Sequence, residues 1–518
     1  MKLVSVAEMI AVEREADTKG HSYAVMMEHA GRGLAESVNS AYSHDCNTVF
    51  GLVGVGNNGG DTLVALSYLQ NWGWSTSAYL LKPRRDADPL VARYLKAGGT
   101  LLKFSEDPGY GVLSASLRIH DVLLDGVFGT GIRLPLRGSM AATLDFVRTC
   151  IAEMETPPHV VAVDVPSGVD SDTGETASET IPAEMTVTMA AVKQGLLKFP
   201  AFEMVGDLRV VDIGLPEGLA AYDRIQREVI DVGWVRRVLP SRPLDAHKGT
   251  FGTVLVIGGS LNYSGAALLA GEMAFRSGAG WVTLAVPEPL HAALAGDFTE
   301  ATWLLLPHEH GFIAADAVHI VLANLSKPTT VLIGPGFGLQ ETSREFISRL
   351  LSAQSNLPPL VLDADALKLL ADIPGWAGRL PAPAVLTPHP GEMSILTGLS
   401  SREIQTKRIE IAERFAVQWG HVVVLKGAFT VIAAPDGRTA LVPVATPALA
   451  RAGTGDVLAG LIAGLRAQGM DAFESAAAGT WIHAQAGLLA ADLIGATAAV
   501  LAGDVLSAAV DVLGDLVE

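Results

Sequence analysis

The chain has 518 residues, 49% of them hydrophobic, with 37 basic and 55 acidic side chains and a net charge of −18. This length predicts two to four domains, and the apolar content excludes a wholly disordered chain. The acidic balance argues against nucleic acid as a partner, because phosphate backbones bind to basic surfaces. Cys46 and Cys150 cannot make a disulfide framework, so a reducing, cytoplasmic location is expected.

Neither end of the chain predicts a targeting or membrane segment. Glu8, Glu13 and Glu15 interrupt the N-terminus, which excludes a signal peptide. The apolar runs near 448–465 and 476–500 carry ionisable side chains and are interpreted as buried helices rather than membrane spans. Those side chains are Arg451, Asp456, His483 and Asp492.

Strands and helices alternate along the first half of the chain. Ser5 and Glu8 form a capping-box pattern that predicts a helix start. Helices are then predicted over 25–41, 63–71 and 89–97. Strands are predicted over 49–53, 76–81, 122–124, 160–165, 185–189 and 208–211. Continuous apolar strands separated by helices predict a parallel sheet that is covered on both faces.

A break rich in proline and glycine at 214–242 predicts the domain boundary. We assign residues 1–220 to the first domain, 221–240 to a linker and 241–518 to the second domain. Strands are predicted again over 253–257, 282–286, 331–333, 360–362, 385–386 and 422–425, with a helix over 266–276. Long helices rich in alanine, glycine and leucine close the chain. The fold class is therefore α/β, with two unrelated domains.

The loop from Gly54 to Gly60 follows a strand and matches G-x-G-x-x-G. Backbone N–H groups and the helix dipole at such a junction attract phosphate. The dinucleotide fingerprint also expects an acid at the end of the next strand, but residues 82–85 read Lys-Pro-Arg-Arg. This disfavours a simple NAD dehydrogenase and accommodates a phosphorylated ribose. From the loop sequence alone, the alternative interpretation, a tight turn that binds no ligand, stays open.

Asp125, Asp164 and Ser167 follow two further strands. Ligands in open α/β sheets bind beyond the carboxyl ends of the strands, so these loops are expected to converge on one cleft. The oxygen atoms of Asn58, Asp125 and Ser167 suit a hard cation. The alternative is that both aspartates only cap the helices that follow.

The first half resembles the NAD(P)H-hydrate epimerase family (YjeF N-terminal type), through NNGGD at 57–61, DGVFGTG at 125–131, DVPSG at 164–168 and KQG at 193–195. The resemblance spans about 1–215. It implies a Rossmann-like three-layer fold that interconverts the R and S epimers of hydrated NADH and NADPH. Potassium is implied at Asn58, Asp125 and Ser167, and Asp164 is implied as the catalytic acid/base. The role of Lys193 stays open: it is either a site residue or a surface lysine.

The same resemblance implies the residues that hold the epimerase substrate. They are Asn57, Asn58, Gly59, Gly60, Asp61, Gly129, Thr130, Gly131, Ile132, Arg133, Leu134, Pro135 and Asp164.

In the second half, Gly453-Thr454-Gly455-Asp456 leads into an apolar helix. Successive backbone N–H groups at a helix start suit an anion. Asp456 would repel a phosphate, but it is suited to take a proton from an attacking hydroxyl. This pattern predicts phosphoryl transfer without a Walker A motif, with a simple helix cap as the alternative.

The second half resembles the ADP-dependent NAD(P)H-hydrate dehydratase family, which has a ribokinase-like fold, over about 240–510. The motifs are HKG at 247–249, GPGFG at 334–338, DADAL at 363–367, TPHPGE at 387–392, KGAFT at 426–430 and GTGD at 453–456. The resemblance implies Asp456 as the catalytic base, with ADP as phosphoryl donor and Mg²⁺. Hydrated dinucleotide is implied at Ala266, Gly336, His389 and Asp456. Nucleotide is implied at Lys426, Gly427, Ala428, Phe429, Thr430 and Gly455.

As a whole, the chain resembles bifunctional hydrate-repair enzymes of the Nnr type. This implies NADHX or NADPHX and an adenine nucleotide as partners, with no membrane partner. Phosphorylation of the ring hydroxyl and loss of phosphate would restore NAD(P)H. The preference for ADP or ATP as phosphoryl donor, and for NADHX or NADPHX as substrate, stays open. The apolar C-terminal helices predict burial at subunit contacts in a homo-oligomer.

One departure and two alternatives accompany this resemblance. Ala448, Arg451 and Ala452 stand where the family more often has smaller residues, which predicts an altered phosphate side of the pocket. The first alternative is a ribokinase-type kinase of a vitamin alcohol with a dinucleotide-sensing N-terminal domain. The second is a non-enzymatic binding module.

Overall fold

The computed structural model describes residues 1–84, 88–353 and 357–517. Two compact units divide the chain, Met1–Gln226 and Arg227–Glu518. Arg85, part of the basic stretch noted above, lies outside the described residues. Within the described residues, no helix is long and apolar enough to cross a membrane.

The first unit alternates strands and helices, and its elements follow the predicted order. Its strands are β1 (Leu3–Val4), β2 (Thr48–Val53), β3 (Ser75–Leu80), β4 (Thr100–Lys103), β5 (Val122–Gly126), β6 (His159–Val163), β7 (Met185–Met189), β8 (Val192–Lys193) and β9 (Asp207–Val211). Its helices are α1 (Val6–Thr18), α2 (Tyr23–Tyr42), α3 (Asn57–Asn71), α4 (Pro89–Lys96), α5 (Gly111–Ile119), α6 (Gly138–Ala152) and α7 (Ala220–Asp223).

Among the described residues of this unit, seven parallel strands form one sheet in the order β4-β3-β2-β5-β6-β7-β9. Numbered within this sheet, that order is 3-2-1-4-5-6-7, the doubly wound Rossmann arrangement with its crevice where the strand order reverses. The reversal lies between β2 and β5. Neighbouring residues of β2 enter separate cores, with Val49 and Val53 on one face and Phe50 and Leu52 on the other. The sheet is therefore covered on both faces, as predicted.

The second unit is larger, and long helices follow its strands. Its strands are β10 (Arg227–Val229), β11 (Thr253–Ile257), β12 (Trp281–Pro287), β13 (Thr302–Leu306), β14 (His308–Glu309), β15 (Phe312–Ile313), β16 (Thr330–Ile333), β17 (Leu360–Leu362), β18 (Val385–Leu386), β19 (Val422–Leu425), β20 (Val431–Ala433) and β21 (Thr439–Leu441). Its helices are α8 (Val232–Val238), α9 (Ser264–Arg276), α10 (Glu288–Leu294), α11 (Val318–Ala323), α12 (Glu341–Ser352), α13 (Asp365–Leu370), α14 (Pro390–Thr397), α15 (Ser401–Thr406), α16 (Arg408–Trp419), α17 (Thr454–Ala467), α18 (Ala472–Ile494) and α19 (Ala502–Val517).

In the described part of this unit, ten strands form one sheet in the order β10-β21-β20-β19-β18-β17-β16-β11-β12-β13. Its two cores take alternate residues of β11, with Val254 and Val256 on one face and Leu255 and Ile257 on the other. This sheet is not wholly parallel, because β20 runs antiparallel to both β19 and β21. The reason is local, since the short connections around β20 leave no room for a crossover helix.

The structure also departs from the predicted linker at 221–240. β10 pairs with β21 in the second sheet, and α8 follows it. Trp234 and Val235 of α8 are buried in the core of the second unit. Proline and glycine are frequent here, but the apolar side chains between them make this segment part of a domain, and the units divide between Gln226 and Arg227.

Candidate active sites

In the first unit, two glycine loops meet at the carboxyl ends of β2 and β5. A Cβ atom on Gly54 would lie 2.1 Å from the Val127 carbonyl oxygen. A Cβ atom on Gly129 would lie 2.3 Å from Oδ1 of Asn58. Only glycine allows this close approach of backbone. The contacts bring Asn58, at the start of α3, against the loop that follows β5.

Asn58, Asp125 and Ser167 converge around the backbone of Phe128. The Asn58 amide donates to the Phe128 carbonyl oxygen at 3.1 Å, and the Phe128 N–H donates to the Ser167 hydroxyl at 2.9 Å. The Ser167 N–H donates to the Asp125 carboxylate at 2.8 Å. The predicted cation ligands therefore lie together.

Asp125 is fully buried. Burial raises the pKa of its carboxyl, and within the described part of the chain no basic side chain forms an ion pair with it. Such a buried carboxylate is costly unless it is compensated. The Ser167 N–H supplies part of that compensation, and a bound hard cation would supply more.

Asp164 and Lys193 form a buried ion pair at the ends of β6 and β8. Asp164 adopts a left-handed backbone (φ 66°), and its carboxylate accepts hydrogen bonds from Thr188 Oγ1 and the Met189 N–H, each at 3.0 Å. Lys193 is 1% exposed and also donates to the Met189 carbonyl oxygen at 2.8 Å. Lys193 is therefore a site residue and not a surface lysine.

A cavity of ≈ 110 Å³ opens beside this ion pair. Its lining includes the predicted residues Asn57, Asn58, Asp61, Thr130 and Asp164. Gly59 and Gly60 are buried in the first turn of α3. The other predicted loop residues, Gly131, Ile132, Arg133, Leu134 and Pro135, are half-buried or exposed.

Two further acids line the cavity. Glu13 of α1 and Asp61 of α3 face it together with Asp164 and Lys193. Burial raises the pKa of both Glu13 and Asp61, and the charge of Asp164 raises each further, while the Lys193 ammonium opposes the shift. The cavity therefore holds three carboxyl groups against one ammonium group, which suits chemistry that moves protons.

Arg84 holds the first glycine loop. Its Nη1 donates to the Gly54 carbonyl oxygen at 2.7 Å, and its Nε donates to Asp88 at 2.7 Å. Arg84, in the basic stretch after β3, therefore stabilises the glycine loop by donating hydrogen bonds to its backbone carbonyl groups.

In the second unit, a lysine and an aspartate meet beside the loop that starts α17. Lys426 Nζ donates to Asp363 Oδ1 at 2.6 Å, and Thr387 Oγ1 donates to the same oxygen at 2.6 Å. A Cβ atom on Gly455 would lie 3.6 Å from Lys426 Nζ and 3.8 Å from Asp363 Oδ2. Side chains that follow β17, β18 and β19 therefore lie close to the GTGD loop.

Asp456 lies in the first turn of α17. Burial and the charge of Asp363 raise the pKa of its carboxyl to about 7, with the Lys426 ammonium opposing the shift. A carboxylate with a pKa near 7 can accept a proton at physiological pH and release it again. Such a pKa is compatible with a general base.

The predicted dinucleotide residues Gly336, Ala266 and His389 lie in two groups, and the members of each group contact one another. A Cβ atom on Gly336 (φ 63°) would lie 3.0 Å from the Ala266 Cβ atom, so these two residues meet. His389 caps α14 and contacts Glu392, with Nε2 and Oε1 3.3 Å apart. Glu392 in turn lies 3.8 Å from Lys426 Nζ. This chain of contacts connects His389 to the Lys426–Asp363 pair.

A cavity of ≈ 190 Å³ lies beside the same lysine. Lys426, Gly427, Ala428, Thr430 and Gly455, all predicted to bind nucleotide, line it. The sixth predicted residue, Phe429, is buried with a left-handed backbone (φ 54°).

None of the three atypical residues before GTGD lines this cavity. The Arg451 guanidinium donates to the Ala498 carbonyl oxygen. Ala448 is buried, and Ala452 is exposed. The arginine is therefore anchored to the segment after α18.

Four residues near the sites had no assigned role from sequence: Glu13, Asp363, Glu392 and His483. Asp363 and Glu392 stand in motifs that follow strands, which is a usable signal. Glu13 and His483 lie on helices, and only the tertiary structure brings them to the cavities.

Comparisons with known protein families match the two units of the chain separately. One family model, described as YjeF-related protein N-terminus, matches residues 23–195, and another, described as NAD(P)H-hydrate dehydratase, matches 254–508. A bifunctional NAD(P)H-hydrate repair enzyme Nnr of Moorella thermoacetica is 38% identical over 495 residues, covering 94% of this chain and 92% of the relative. This chain belongs to the bifunctional NAD(P)H-hydrate repair enzyme family.

Two further proteins are similar to this chain. The Escherichia coli K12 protein of the same name is 34% identical, covering 92% of this chain and 88% of the relative. The solved ADP/ATP-dependent NAD(P)H-hydrate dehydratase from Bacillus subtilis is 32% identical, covers 56% of this chain and 98% of its own, and has a TM-score of 0.47. The predicted family and the two-domain α/β class are confirmed. The matches in both halves favour the repair family over a vitamin kinase with a sensing domain.

Proposed function

We propose that this chain repairs hydrated nicotinamide cofactors with two separate active sites. The first unit would epimerise R- and S-NAD(P)HX. The second would dehydrate the S epimer to NAD(P)H at the expense of an adenine nucleotide. The observation that carries the proposal is that each family-matched segment contains an acid at the carboxyl ends of parallel strands, where α/β sheets bind ligands. These acids are Asp164 and Asp456.

For epimerisation, we assign proton transfer to Asp164. The hydroxyl on the ring carbon would take a proton from Asp164 and leave as water, assisted by the ring nitrogen, and water would then add to the other face of the ring. Asp164 would accept the proton from the incoming water. Lys193 would act as a positioning residue, because its ammonium fixes the carboxylate and compensates its charge. The substrate would lie against the residues implied by the family motif, among them Asn57, Asp61 and Thr130, which line the cavity.

Asn58, Asp125 and Ser167 would hold potassium in this unit. A bound K⁺ would neutralise the buried carboxylate and add positive charge beside an anionic dinucleotide. Asn58 and Ser167 join the loops after β2, β5 and β6 through Phe128, so these residues would keep the substrate loops in one arrangement.

For dehydration, Asp456 would take the proton of the ring hydroxyl. The freed oxygen attacks the terminal phosphorus of ADP or ATP, and the remaining nucleotide leaves. The backbone N–H groups of Gly453–Gly455 would stabilise the charge that develops on the phosphoryl oxygens. The ring C–O bond then breaks, phosphate leaves, and loss of a proton from the neighbouring ring carbon restores the double bond.

Lys426 and the loop that follows it would hold the nucleotide phosphates, while Ala266, Gly336 and His389 would hold the hydrated dinucleotide. Among the described residues, no group of three histidine, cysteine or acidic side chains could hold a metal ion by itself. Mg²⁺ commonly binds through substrate phosphates and one or two carboxylates, so Asp363 and Glu392 would hold it only together with the nucleotide. Bound Mg²⁺ would neutralise charge on the transferring phosphoryl group.

The test uses the absorbance of reduced nicotinamide, recovered from a mixture of both NADHX epimers with Mg²⁺ and ADP, and then with ATP. Complete recovery is expected, and the faster nucleotide identifies the preferred donor. Recovery that stops at the S-epimer fraction would contradict the epimerase assignment. No recovery with either nucleotide would contradict the whole proposal, and vitamin alcohols would then be tested as kinase substrates. NADPHX in place of NADHX tests the dinucleotide preference.

A cytoplasmic location and a homo-oligomer belong to the same proposal. The substrates are intracellular cofactors, and α18 exposes the apolar Leu488, Leu493 and Ile494. Light scattering coupled to size-exclusion chromatography would measure the mass, and a monomer of 54.1 kDa would contradict the oligomer.

A further inference from the structure

A buried histidine of the second unit faces the nucleotide cavity. His483 lies within α18, is 7% exposed and lines this cavity. Its Nε2 lies 2.8 Å from the Thr454 carbonyl oxygen. A carbonyl group can only accept, so the ring proton sits on Nε2 and Nδ1 carries a lone pair. Within the described part of the chain, no donor reaches Nδ1.

The imidazole is neutral under physiological conditions. Burial lowers the pKa of His483 to about 4; the hydrogen bond to the Thr454 carbonyl opposes this shift, and the Lys426 ammonium contributes to it. Its Nδ1 is therefore a permanent hydrogen-bond acceptor. Because Nδ1 makes no hydrogen bond within the described protein, it is available to accept one from a ligand in this cavity.

The cavity combines cationic, polar and apolar lining groups. Lys426 and the backbone of Gly455 suit an anion. Apolar side chains also line it: Val442, Val444, Leu449, Leu458 and Ala484. The threonines in the lining are Thr430, Thr446, Thr454 and Thr480, and the Thr480 hydroxyl donates to the Ala476 carbonyl oxygen at 2.7 Å. Apolar walls with a small number of polar groups suit a planar base, and His483 offers a neutral acceptor in this lining.

We propose that Nδ1 of His483 accepts a hydrogen bond from the exocyclic amine of adenine and thereby selects adenine nucleotides as phosphoryl donors. This inference rests on the proposed dehydratase function of the same unit. Adenine presents an N–H donor where hypoxanthine and guanine present a carbonyl oxygen. With those bases two acceptors would face each other, and neither would be satisfied.

The first experiment compares ADP with IDP in dehydration of S-NADHX by the unaltered chain. We expect kcat/KM to be at least about tenfold higher with ADP, the effect of leaving one buried acceptor unpaired. Equal values would overturn the inference while leaving the proposed function intact. No reaction with ADP would contradict both.

The second experiment uses His483→Phe, which keeps a ring but removes the acceptor, and His483→Asn, which keeps a donor for Thr454. A merely structural role would lower activity with ADP and IDP alike. Recognition of the base instead predicts that the ratio of the two kcat/KM values falls to about one in His483→Phe. A preserved ratio in folded His483→Phe would overturn the inference.

A third arm separates the base from the sugar. If Nδ1 binds a ribose hydroxyl instead of the amine, His483→Phe will change the preference for ADP over 2′-deoxy-ADP and leave the ADP-to-IDP ratio unchanged. That result would also overturn the inference. We expect the opposite pattern, with the sugar preference unchanged.

Discussion

The Lys193 ammonium and the Asp164 carboxylate form a buried ion pair at the edge of the first-unit cavity. The lysine is 1% exposed and its partner 7%. Breaking a buried pair by removing one partner leaves an uncompensated charge. The pair therefore couples the stability of the first unit to its proposed chemistry.

Replacing the lysine tests this coupling. We expect Lys193→Met to lower the free energy of unfolding of the first unit by about 3 kcal/mol and to abolish epimerisation, while dehydration of purified S-NADHX continues. Chemical denaturation followed by circular dichroism measures the first effect. The control is Lys103→Met, which removes an exposed pair with Glu106 and should change stability by less than about 1 kcal/mol. Normal epimerisation by Lys193→Met would contradict the positioning role.

A substitution in one proposed active site should abolish the activity of that site and leave the activity of the other unchanged. Asp164→Asn keeps the side-chain shape, and asparagine tolerates the left-handed backbone at this position. We expect it to stop epimerisation and spare dehydration of the S epimer. Asp456→Asn should do the reverse, because each removes one acid/base group. Chromatography of the two epimers and nicotinamide absorbance measure the two rates. Loss of both activities in either variant would contradict independent sites.

The dehydration rate should depend on the charge of Asp456. Its pKa is raised to about 7, and a general base acts only when it is deprotonated. We therefore expect kcat/KM to rise with pH up to about 7 and to fall about tenfold per pH unit well below that value. A profile that is flat between pH 5 and 8 would argue against Asp456 as the base, provided that chemistry limits the rate.

Close packing of Gly129 on Asn58 gives a steric prediction. In Gly129→Ala, the new Cβ atom would lie 2.3 Å from Oδ1 of Asn58, which must then move. We expect at least a tenfold loss of epimerisation, with an unchanged circular dichroism spectrum. Gly109→Ala is the matched control, because a Cβ atom there has no neighbour within 4 Å among the described residues. Equal activity of the two variants would show that Asn58 is not needed in its present position.

The cation prediction is tested by exchange of salts. We expect epimerisation to increase when KCl replaces N-methyl-D-glucamine chloride at constant ionic strength. Asp125→Asn should weaken the apparent K⁺ affinity roughly tenfold or more, because it removes the buried carboxylate of the donor set. A rate that does not respond to K⁺ in the unaltered chain would contradict the potassium assignment.

The sequence by itself determined most of the strands, both glycine loops and the family. Strands such as β11 and β17 consist mostly of apolar residues, and this pattern is local, so it is readable without a structure. The N-terminal helix was equally readable, since Ser5 and Glu8 form the predicted capping box. Asp164 was found because it follows a strand and strand ends converge in α/β folds, whereas Asp456 was found from the glycine loop that starts α17.

Only the tertiary structure decided what the helices and the boundary segment contribute. Glu13 and His483 reach the cavities through the packing of α1 and α18, and helical spacing alone does not say which neighbour a side chain meets. The antiparallel β20 and the pairing of β10 with β21 depend on hydrogen bonds between distant segments. Lys193 illustrates the same limit, since a lysine in sequence resembles a surface residue until a buried carboxylate is found beside it.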